Sequence, residues 1–347
     1  MLAAVYHGPN DLRVEQVPVP QIAPGELLIQ VKSASICGTD LRIFHGNHRK
    51  YAPGTIRIPG HEVVGTIAAI GDGLTGFEVG QRVFIAPNMG CGHCLQCVSG
   101  NNNLCANYDA VGVTMDGGFA EYMRVPANLV QQGNVIPISQ EVDPAVAALM
   151  EPFACVLRGQ NALHIQPGET VLVIGAGPIG VMHTKLARVR GAGRVIVSEP
   201  LVNRVAQAKR MGADRVVNPL EEDLHAVIDQ ESSGRGADVV IVAAPVHAAQ
   251  ESALNLAAIG GRINFFGGLP KDRPTINLDS NLVHYKELVI TGTTACSTHD
   301  CWQAAQIVSS GLIDLSDLVS QRFPLREAVQ AFAAAEDRQS LKIVLEP

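Results

Sequence analysis

The sequence predicts an α/β protein of two parts, a mostly-β unit followed by a doubly wound parallel-sheet unit. The first observation is a set of short β-rich runs bounded by glycine and proline, namely 27–36, 62–71 and 81–87. The second is a regular alternation of apolar strands and helical stretches after about residue 166. The third is composition, because 34 glycines, 20 prolines and only 4% aromatic residues favour turns and aliphatic strands over a helical bundle.

The 347 residues are enough for two domains. The β-rich runs predict a compact, largely antiparallel domain over residues 1–150. In the second domain, residues 151–294, TVLVIG (170–175) is a continuous apolar run, as expected for a buried parallel strand. The alternation continues with strands expected at 194–199, 214–218, 237–244, 261–267 and 287–293, and helices at 179–190, 203–212, 221–231 and 247–258.

The C-terminal segment, residues 295–347, is expected to return to the first domain, because six strands already complete a dinucleotide-type sheet. Its pattern predicts helices at 300–310 and 325–337 and a final strand over LKIVLEP.

Charge and hydropathy exclude several function classes. The net charge is −7 and no block of Lys or Arg stands out, which argues against a nucleic-acid partner. The N-terminus lacks the features of a signal peptide, and the best apolar run, 171–182, is too short to span a bilayer. We therefore expect a soluble, cytoplasmic protein whose thiols are reduced, so that a cysteine cluster indicates metal rather than disulfides.

The GAGPIG segment fits the G-x-G-x-x-G pattern at the end of a buried strand and the start of a helix. The first glycine permits a tight turn, the second lets the backbone approach a pyrophosphate, and the third lets helix and strand pack closely. The helix N-terminus offers free N–H groups to phosphates. The residues predicted to contact the dinucleotide are Gly175, Gly177, Pro178, Ile179, Gly180, Glu199, Arg204, Gly267, Gly268 and Thr293.

Glu199 ends the second strand of this unit, 19 residues after Gly180. A carboxylate there accepts hydrogen bonds from a ribose 2′-hydroxyl and repels a 2′-phosphate, so NAD is favoured over NADP. Arg204 keeps the NADP alternative open, because an arginine nearby can accommodate the 2′-phosphate.

Four cysteines, spaced C-x₂-C-x₂-C-x₇-C, predict a metal-bound lobe over about residues 88–106. Four thiolates close a tetrahedron around one zinc and leave no position for substrate, which is typical of a structural site. An iron–sulfur cluster is the alternative. His93 is expected to lie outside the ligand set. The predicted ligands are Cys91, Cys94, Cys97 and Cys105.

A catalytic zinc needs about three protein ligands and one open position. Candidates lie in three separate places: Cys37 at the end of a predicted strand, His61 with Glu62 after a Pro-Gly turn, and Glu151. Spacing alone leaves them as scattered candidates.

These motifs together resemble the zinc-dependent medium-chain alcohol dehydrogenases, in that family's order and over nearly the whole chain. They are Cys37-Gly38-Thr39-Asp40, Gly60-His61-Glu62, the four-cysteine lobe, Glu151-Pro152 and the GAGPIG turn. The branch with the greatest resemblance is the polyol group, which comprises sorbitol-dehydrogenase-like and threonine-dehydrogenase-like enzymes.

The resemblance implies a GroES-like, mostly-β catalytic domain and a Rossmann domain that binds NAD. It implies two zinc ions per chain, one structural and one catalytic, with Cys37, His61 and Glu62 as ligands of the catalytic ion. Glu151 is then a further ligand or acts through a bound water, and the resemblance leaves open which glutamate coordinates directly. Thr39 matches the family's hydroxyl that relays the substrate's proton, and His45 is a candidate for passing that proton to solvent. Glu62 and Glu151 are further candidates for the proton acceptor, through a zinc-bound water.

The implied activity is hydride transfer from a secondary alcohol of a polyol, sugar or sugar derivative to NAD. Sorbitol itself is disfavoured, because the chain reads Gly292-Thr293-Thr294-Ala295-Cys296 where sorbitol dehydrogenases carry an aromatic–Arg–Tyr run. The alternatives are an L-threonine 3-dehydrogenase, a sugar-phosphate dehydrogenase favoured by the basic stretch from Arg42 to Lys50, and a catalytically silent binding protein. A small-molecule alcohol is the expected partner, in a homodimer or homotetramer. Cys155, Cys296 and Cys301 are expected to be small buried core residues.

Overall fold

The computed structural model describes residues 1–337 and 339–347. Contacts within the chain divide it into two compact units. The first unit contains Met1–Ala154 together with Ala295–Pro347, and the second contains Cys155–Thr294.

The elements of the first 161 residues are short, as their glycine and proline punctuation predicts. The strands are β1 (Leu2–Gly8), β2 (Asp11–Gln16), β3 (Leu27–Ser35), β4 (Glu62–Ile70), β5 (Arg82–Ile85), β6 (Asn88–Met89), β7 (Asp109–Ala110), β8 (Tyr122–Val125) and β9 (Val135–Pro137). The helices are α1 (Gly38–Phe44), α2 (Leu95–Val98), α3 (Ala127–Gln131), α4 (Pro144–Ala148) and α5 (Met150–Asn161).

The second unit is built on a six-stranded parallel sheet in the order β12-β11-β10-β13-β14-β15. Its strands are β10 (Thr170–Ile174), β11 (Arg194–Ser198), β12 (Arg215–Val217), β13 (Ala237–Val242), β14 (Ala257–Phe265) and β15 (Val289–Gly292). Its helices are α6 (Pro178–Val189), α7 (Val202–Arg210), α8 (Leu224–Ser232), α9 (His247–Leu256) and α10 (Ser280–Tyr285).

Alternate residues of the central strand β10 belong to two different hydrophobic clusters. Val171 and Val173 pack in one cluster, and Leu172 and Ile174 pack in the other. The sheet is therefore buried on both faces, which explains why its strands read as continuous apolar runs in the sequence. The predicted fold class, a mostly-β domain with a doubly wound parallel-sheet domain, is confirmed.

The C-terminal segment contributes α11 (Thr298–Ser309), β16 (Val319–Pro324), α12 (Ala328–Glu336) and β17 (Lys342–Glu346). The seven-stranded sheet of the first unit has the order β16-β17-β3-β4-β5-β9, with β8 also paired to β3. The sequence pattern did not predict β16. This strand lies at the edge of the sheet and exposes three consecutive polar residues, 320–322, so it has no apolar alternation to detect.

The register of β3 against β4 is what assembles the site. These strands are antiparallel and pair Ser35 with Glu62, so the residues just beyond the end of β3 lie beside those at the start of β4. The last strand, β17, pairs with the same end of β3, with Val344 opposite Ser35. Three remote segments therefore meet at one corner of the sheet. In the described ranges, 1–337 and 339–347, no helix has the length and apolar character needed to cross a membrane.

We expect Gly65→Ala to destabilise the first unit, because a Cβ there would lie 2.4 Å from the carbonyl oxygen of Gln30 and the side chain of Ile29. Such overpacking forces a backbone shift that costs about 1–3 kcal/mol. Urea unfolding of the purified protein measures this loss. The matched control is Gly8→Ala, also in a strand, where a Cβ meets nothing within 4 Å. Equal stability of the two variants would contradict the argument.

Candidate active site and metal centres

Three residues predicted as ligands of a catalytic metal lie together in the first unit. The ligand atoms of Cys37, His61 and Glu62 all lie within 4.8 Å of one another. His61 is 7% exposed and Glu62 is fully buried. A thiol, an imidazole and a carboxylate form a donor set that zinc accepts.

A carboxylate that the sequence analysis did not assign lies beside His61. The Nδ1 atom of His61 lies 3.5 Å from Oδ1 of buried Asp40, whose other oxygen accepts a hydrogen bond of 2.8 Å from the backbone N–H of Cys37. Burial opposes a charge on His61, but the Asp40 carboxylate and Cys37 raise the His61 pKa well above its usual value. A carboxylate behind a histidine orients the ring of a metal ligand, so Asp40 fits the role of an orienting partner.

Lys342, in β17, forms a buried ion pair with Glu62. Its Nζ atom donates hydrogen bonds of 2.6 Å to Oε2 of Glu62 and 2.9 Å to the carbonyl oxygen of Ile36. Burial disfavours the ammonium charge, yet the neighbouring Glu62 and Cys37 raise the Lys342 pKa. The second carboxylate oxygen of Glu62 has no hydrogen-bond partner among the described residues. Glu62 therefore has one oxygen committed to Lys342 and one left for a metal.

Glu151 lies near this group but outside it. One side chain beside it that could also bind a metal is Cys296, whose Sγ atom donates to Oε1 of Glu151 at 3.6 Å. Burial raises the pKa of Glu151 to about 7, against the opposing effect of His61. Its role as a ligand, or as a residue that acts through a bound water, remains a prediction.

Thr39 and His45, two of the residues predicted to move protons, are both engaged in hydrogen bonds. The hydroxyl of Thr39 accepts a 2.8 Å hydrogen bond from the guanidinium of exposed Arg42. The ring of His45 is exposed, and its two nitrogens pair with Asn10 at 2.8 Å and with Glu336. The relay role of His45 stays a prediction, and its ring is already committed to these two partners.

The four cysteines of the predicted lobe converge on one point. All four sulfurs lie within 4.8 Å of one another, with Cys94 3.5 Å from Cys97 and 3.7 Å from Cys105. A tetrahedron with metal–sulfur bonds of about 2.3 Å has edges of about 3.8 Å, so the set fits a single zinc and leaves no space for a multi-atom iron–sulfur cluster.

The surroundings of the lobe support metal binding. The backbone N–H groups of His93 and Cys94 lower the pKa of Cys91 to about 6, which favours the thiolate there, whereas burial raises the pKa of Cys97. The imidazole of His93 is exposed and pairs with the carbonyl oxygen of Cys91, so it lies outside the ligand set, as expected.

In the second unit, the glycine-rich turn joins β10 to α6. Gly175 has a φ of +105°, a conformation that residues with a side chain rarely adopt. Gly177 caps α6, and Pro178 occupies its first position, followed by Ile179. A Cβ on Gly180 would lie 1.8 Å from the carbonyl oxygen of Gly175, so only glycine fits. The turn therefore leaves its backbone open to a pyrophosphate at a helix N-terminus.

Of the other residues predicted to bind the cofactor, Arg204 lies in α7 and the rest follow the carboxyl ends of strands of the parallel sheet. Glu199, just after β11, is buried and accepts hydrogen bonds from Ala176 at 2.7 Å and Leu201 at 2.9 Å. A guanidinium nitrogen of Arg204 lies 3.6 Å from where a Cβ on Gly177 would be. Gly267, Gly268 and Thr293 follow β14 and β15 at the same edge of the sheet. Ligands bind at this edge in open α/β sheets.

Sequence reasoning missed Lys342 and Cys296 as functional residues. Lys342 is 280 residues from its partner Glu62, and a lone lysine in an apolar final strand was the only local signal. Cys296 was expected to be a buried core thiol, and its burial agrees with that expectation. Its contact with Glu151 has no counterpart in the sequence pattern.

We expect Lys342→Met to destabilise the protein by about 3–5 kcal/mol, because removing one partner of a buried ion pair leaves the carboxylate of Glu62 unpaired. The double variant K342M/E62Q should recover part of this loss, since the buried charge is gone. Urea unfolding measures both. Lys32→Met removes a partly exposed lysine of β3 and serves as the control. A single variant as stable as the control would contradict the proposed importance of the pair.

Comparison with known proteins agrees with this geometry. Residues 23–137 match the family model of the alcohol dehydrogenase GroES-like domain, and residues 178–310 match that of zinc-binding dehydrogenases. The chain is 36% identical over 337 residues to an L-threonine 3-dehydrogenase of Bacillus subtilis. The aligned region covers 96% of this chain and 94% of the relative.

Solved structures, for example the following two, share the fold over the whole chain. A zinc-binding dehydrogenase of Sinorhizobium meliloti 1021 bound to NADP has a TM-score of 0.90 and 31% identity, covering 100% of this chain and 99% of the other. An alcohol dehydrogenase of Escherichia coli CFT073 complexed with NADH has a TM-score of 0.90 and 29% identity, with the same coverage. The chain belongs to the zinc-dependent medium-chain alcohol dehydrogenase family, in its threonine dehydrogenase-like branch.

Proposed function

We propose that this protein oxidises the secondary hydroxyl of a small amino alcohol of the L-threonine type, with zinc and NAD. The observation that carries the proposal is the donor set of half-buried Cys37 with buried His61 and Glu62, which has the composition of a catalytic rather than a structural zinc site. Support for the substrate class comes from the relative of Bacillus subtilis, an L-threonine 3-dehydrogenase at 36% identity.

Zinc and the nicotinamide, when bound, supply the reactive groups. Zinc supplies a Lewis acid that lowers the pKa of a hydroxyl, and the nicotinamide supplies the hydride acceptor. Asp40 orients the ring of His61, and Lys342 fixes one oxygen of Glu62, so the donor atoms are held before substrate arrives.

Thr39 is proposed to take the proton from the substrate hydroxyl. A hydroxyl has two acceptor positions and one donor hydrogen. Arg42 occupies one acceptor position of Thr39 at 2.8 Å, which leaves the second for the substrate's O–H. Thr39 is partly exposed, so its own hydrogen passes to solvent water as it takes the substrate's proton. This arrangement gives the proton a path that does not require His45.

Arg42 also supports a substrate that carries a carboxylate. Its exposed guanidinium lies beside the hydroxyl that is proposed to receive the proton. Arginine pairs with a carboxylate through two parallel hydrogen bonds, whereas an uncharged polyol offers no such partner. We therefore propose that Arg42 recognises the carboxylate of the amino alcohol.

NAD is the proposed cofactor, because the carboxylate of Glu199 follows β11, where it would repel a 2′-phosphate. Arg204, beside the glycine-rich turn, is the feature that supports NADP instead. The solved relatives were bound to either cofactor.

An uncharged polyol is the second candidate substrate. The motif resemblance to the polyol branch favours it, and the missing aromatic–Arg–Tyr run after β15 argues only against sorbitol itself.

The zinc-loaded protein should reduce NAD with L-threonine as substrate, and more slowly or not at all with sorbitol and 2,3-butanediol. Absorbance of the reduced nicotinamide measures the rate, with NADP tested in parallel. A preference for the uncharged diols would reject the amino alcohol in favour of the second candidate.

Arg42→Met tests the recognition of the carboxylate. Loss of a charge-assisted hydrogen bond worth about 1.5–3 kcal/mol should raise the KM for L-threonine by about 10–100-fold. The KM for 2,3-butanediol, which has no carboxylate, is the internal control and should stay unchanged. An equal change in both KM values would mean that Arg42 acts only through Thr39.

Metal content separates the two proposed zinc sites. We expect two zinc ions per wild-type chain, and one in each of Cys37→Ser and Cys97→Ser. Cys37→Ser should lose activity with little loss of stability, whereas Cys97→Ser should unfold at a lower urea concentration, because a structural zinc contributes directly to folding. Elemental analysis and urea unfolding measure these effects. Two zinc ions in Cys37→Ser would refute the ligand assignment.

A further inference from the structure

We propose that Asn88 is a positioning residue for Glu151, that it acts through the thiol of Cys296, and that the four-cysteine lobe holds Asn88 in place. The inference rests on the proposed function in that it treats Glu151 as part of the reaction site. All of the residues involved belong to the first unit.

The side chain of Asn88 is buried and has a defined orientation. Its Oδ1 atom accepts a 2.5 Å hydrogen bond from the hydroxyl of Tyr108, so its amide nitrogen faces the opposite way. That nitrogen donates hydrogen bonds of 2.8 Å to the carbonyl oxygen and 3.4 Å to the sulfur of Cys296. Asn88 therefore fixes both the backbone and the side chain of Cys296.

These contacts direct the thiol hydrogen of Cys296. Because the amide of Asn88 donates to the sulfur, the sulfur acts as acceptor on that side and its own hydrogen points elsewhere. The acceptors within reach include Oε1 of Glu151 at 3.6 Å and the sulfur of Cys301 at 3.5 Å. A carboxylate oxygen is a much stronger acceptor than a thiol sulfur, so the S–H group donates to Glu151.

The lobe supplies the anchor for this arrangement. Asn102 lies between the third and fourth cysteines of the lobe, and its amide nitrogen donates a 2.7 Å hydrogen bond to the carbonyl oxygen of Asn88. Its side-chain oxygen accepts a 2.9 Å hydrogen bond from the N–H of Thr298, two residues beyond Cys296. One lobe side chain thus holds both of the segments that must meet if Asn88 is to reach Cys296.

Asn134 makes further hydrogen bonds to the segments that Asn88 and Asn102 join. Its amide nitrogen donates 2.7 Å and 2.8 Å hydrogen bonds to the carbonyl oxygens of Asn88 and Ala86, and its side-chain oxygen accepts from the hydroxyl of Thr298 at 3.2 Å. Asn88, Asn102 and Asn134 are all buried. Buried amides whose hydrogen bonds are satisfied in this way specify one arrangement of the segments they join.

The first test reads the hydrogen bond itself. The S–H stretching band of Cys296 is assigned in the full-length protein from the infrared difference between wild type and Cys296→Ser. In the wild-type protein we expect the band of a hydrogen-bonded thiol. In Glu151→Ala, Asn88→Ala and Asn102→Ala we expect this band to shift toward the position of a weakly bonded thiol. A band that Asn88→Ala leaves unmoved overturns the role of Asn88, and one that Asn102→Ala leaves unmoved overturns the anchoring by the lobe.

The second test reads the consequence for the site. Residues that hydrogen-bond to the side chains of a metal site typically contribute about 10–100-fold to metal affinity or activity. Asn88→Ala and Cys296→Ala should therefore each lower kcat by about that factor, with little change in KM. Cys296→Ser keeps a donor at the same position and should restore most of the loss. Cobalt-loaded protein should show an altered absorption spectrum in Asn88→Ala. An unaltered spectrum with unchanged kcat overturns the proposal.

Cys301→Ala is the matched control, because it removes a thiol that is equally buried and lies 3.5 Å from the sulfur of Cys296. It should lower stability by the same amount as Cys296→Ala but keep kcat. Equal losses of kcat in the two variants would mean that packing, not the hydrogen bond, explains the effect. If wild-type protein oxidises none of the substrates, the proposed function fails, and the infrared band still decides whether Asn88 positions Cys296 against Glu151.

Discussion

The ion pair between Lys342 and Glu62 is the interaction on which the arrangement of the first unit depends. Both charges are buried, and a buried charge without a partner is strongly destabilising. The last strand therefore cannot leave the sheet without leaving the carboxylate of Glu62 unpaired. The pair therefore binds the C-terminus of the chain to the start of β4. It also removes one oxygen of Glu62 from any competition for a metal, which leaves a single oxygen to complete a set with Cys37 and His61. A lysine far from the motif thus determines what kind of ligand the motif's glutamate can be.

Features that are encoded within a short segment could be predicted from the sequence, whereas contacts between remote segments, such as the pair of Lys342 and Glu62, could not. The parallel sheet, the glycine-rich turn and the four-cysteine lobe were predictable because each is encoded within a short segment, by an apolar run, by glycine spacing or by cysteine spacing. Cys37, His61 and Glu62 were recognised together only through resemblance to a family. What joins them is the register of β3 against β4, which pairs Ser35 with Glu62, and register is a property of two strands rather than of either one.

The residues that could not be predicted are those whose partners are distant in sequence. Lys342 reads as one polar residue in an apolar strand, and Cys296 reads as a small buried thiol. Asn88 and Asn102 read as loop residues in a polar, glycine-rich stretch. Each has a role only because β17, the lobe and the start of α11 meet in space. Arg42 was noticed as part of a basic stretch, but its contact with Thr39 depends on the turn of α1 that brings residues three apart onto one face.

The two proposed metal centres differ in what their donor sets permit, yet they are not independent. Four cysteines saturate a tetrahedral ion, so the lobe has no position for a substrate and its chemistry is confined to holding the chain. Its asparagine, however, is hydrogen-bonded to the strand that carries Asn88 and to the segment that carries Cys296. Buried polar networks whose hydrogen bonds are satisfied make the segments that they join rigid. The lobe therefore provides a fixed point from which a carboxylate at the reaction site can be aimed. The proposed role of the lobe is then to position side chains as well as to stabilise the chain.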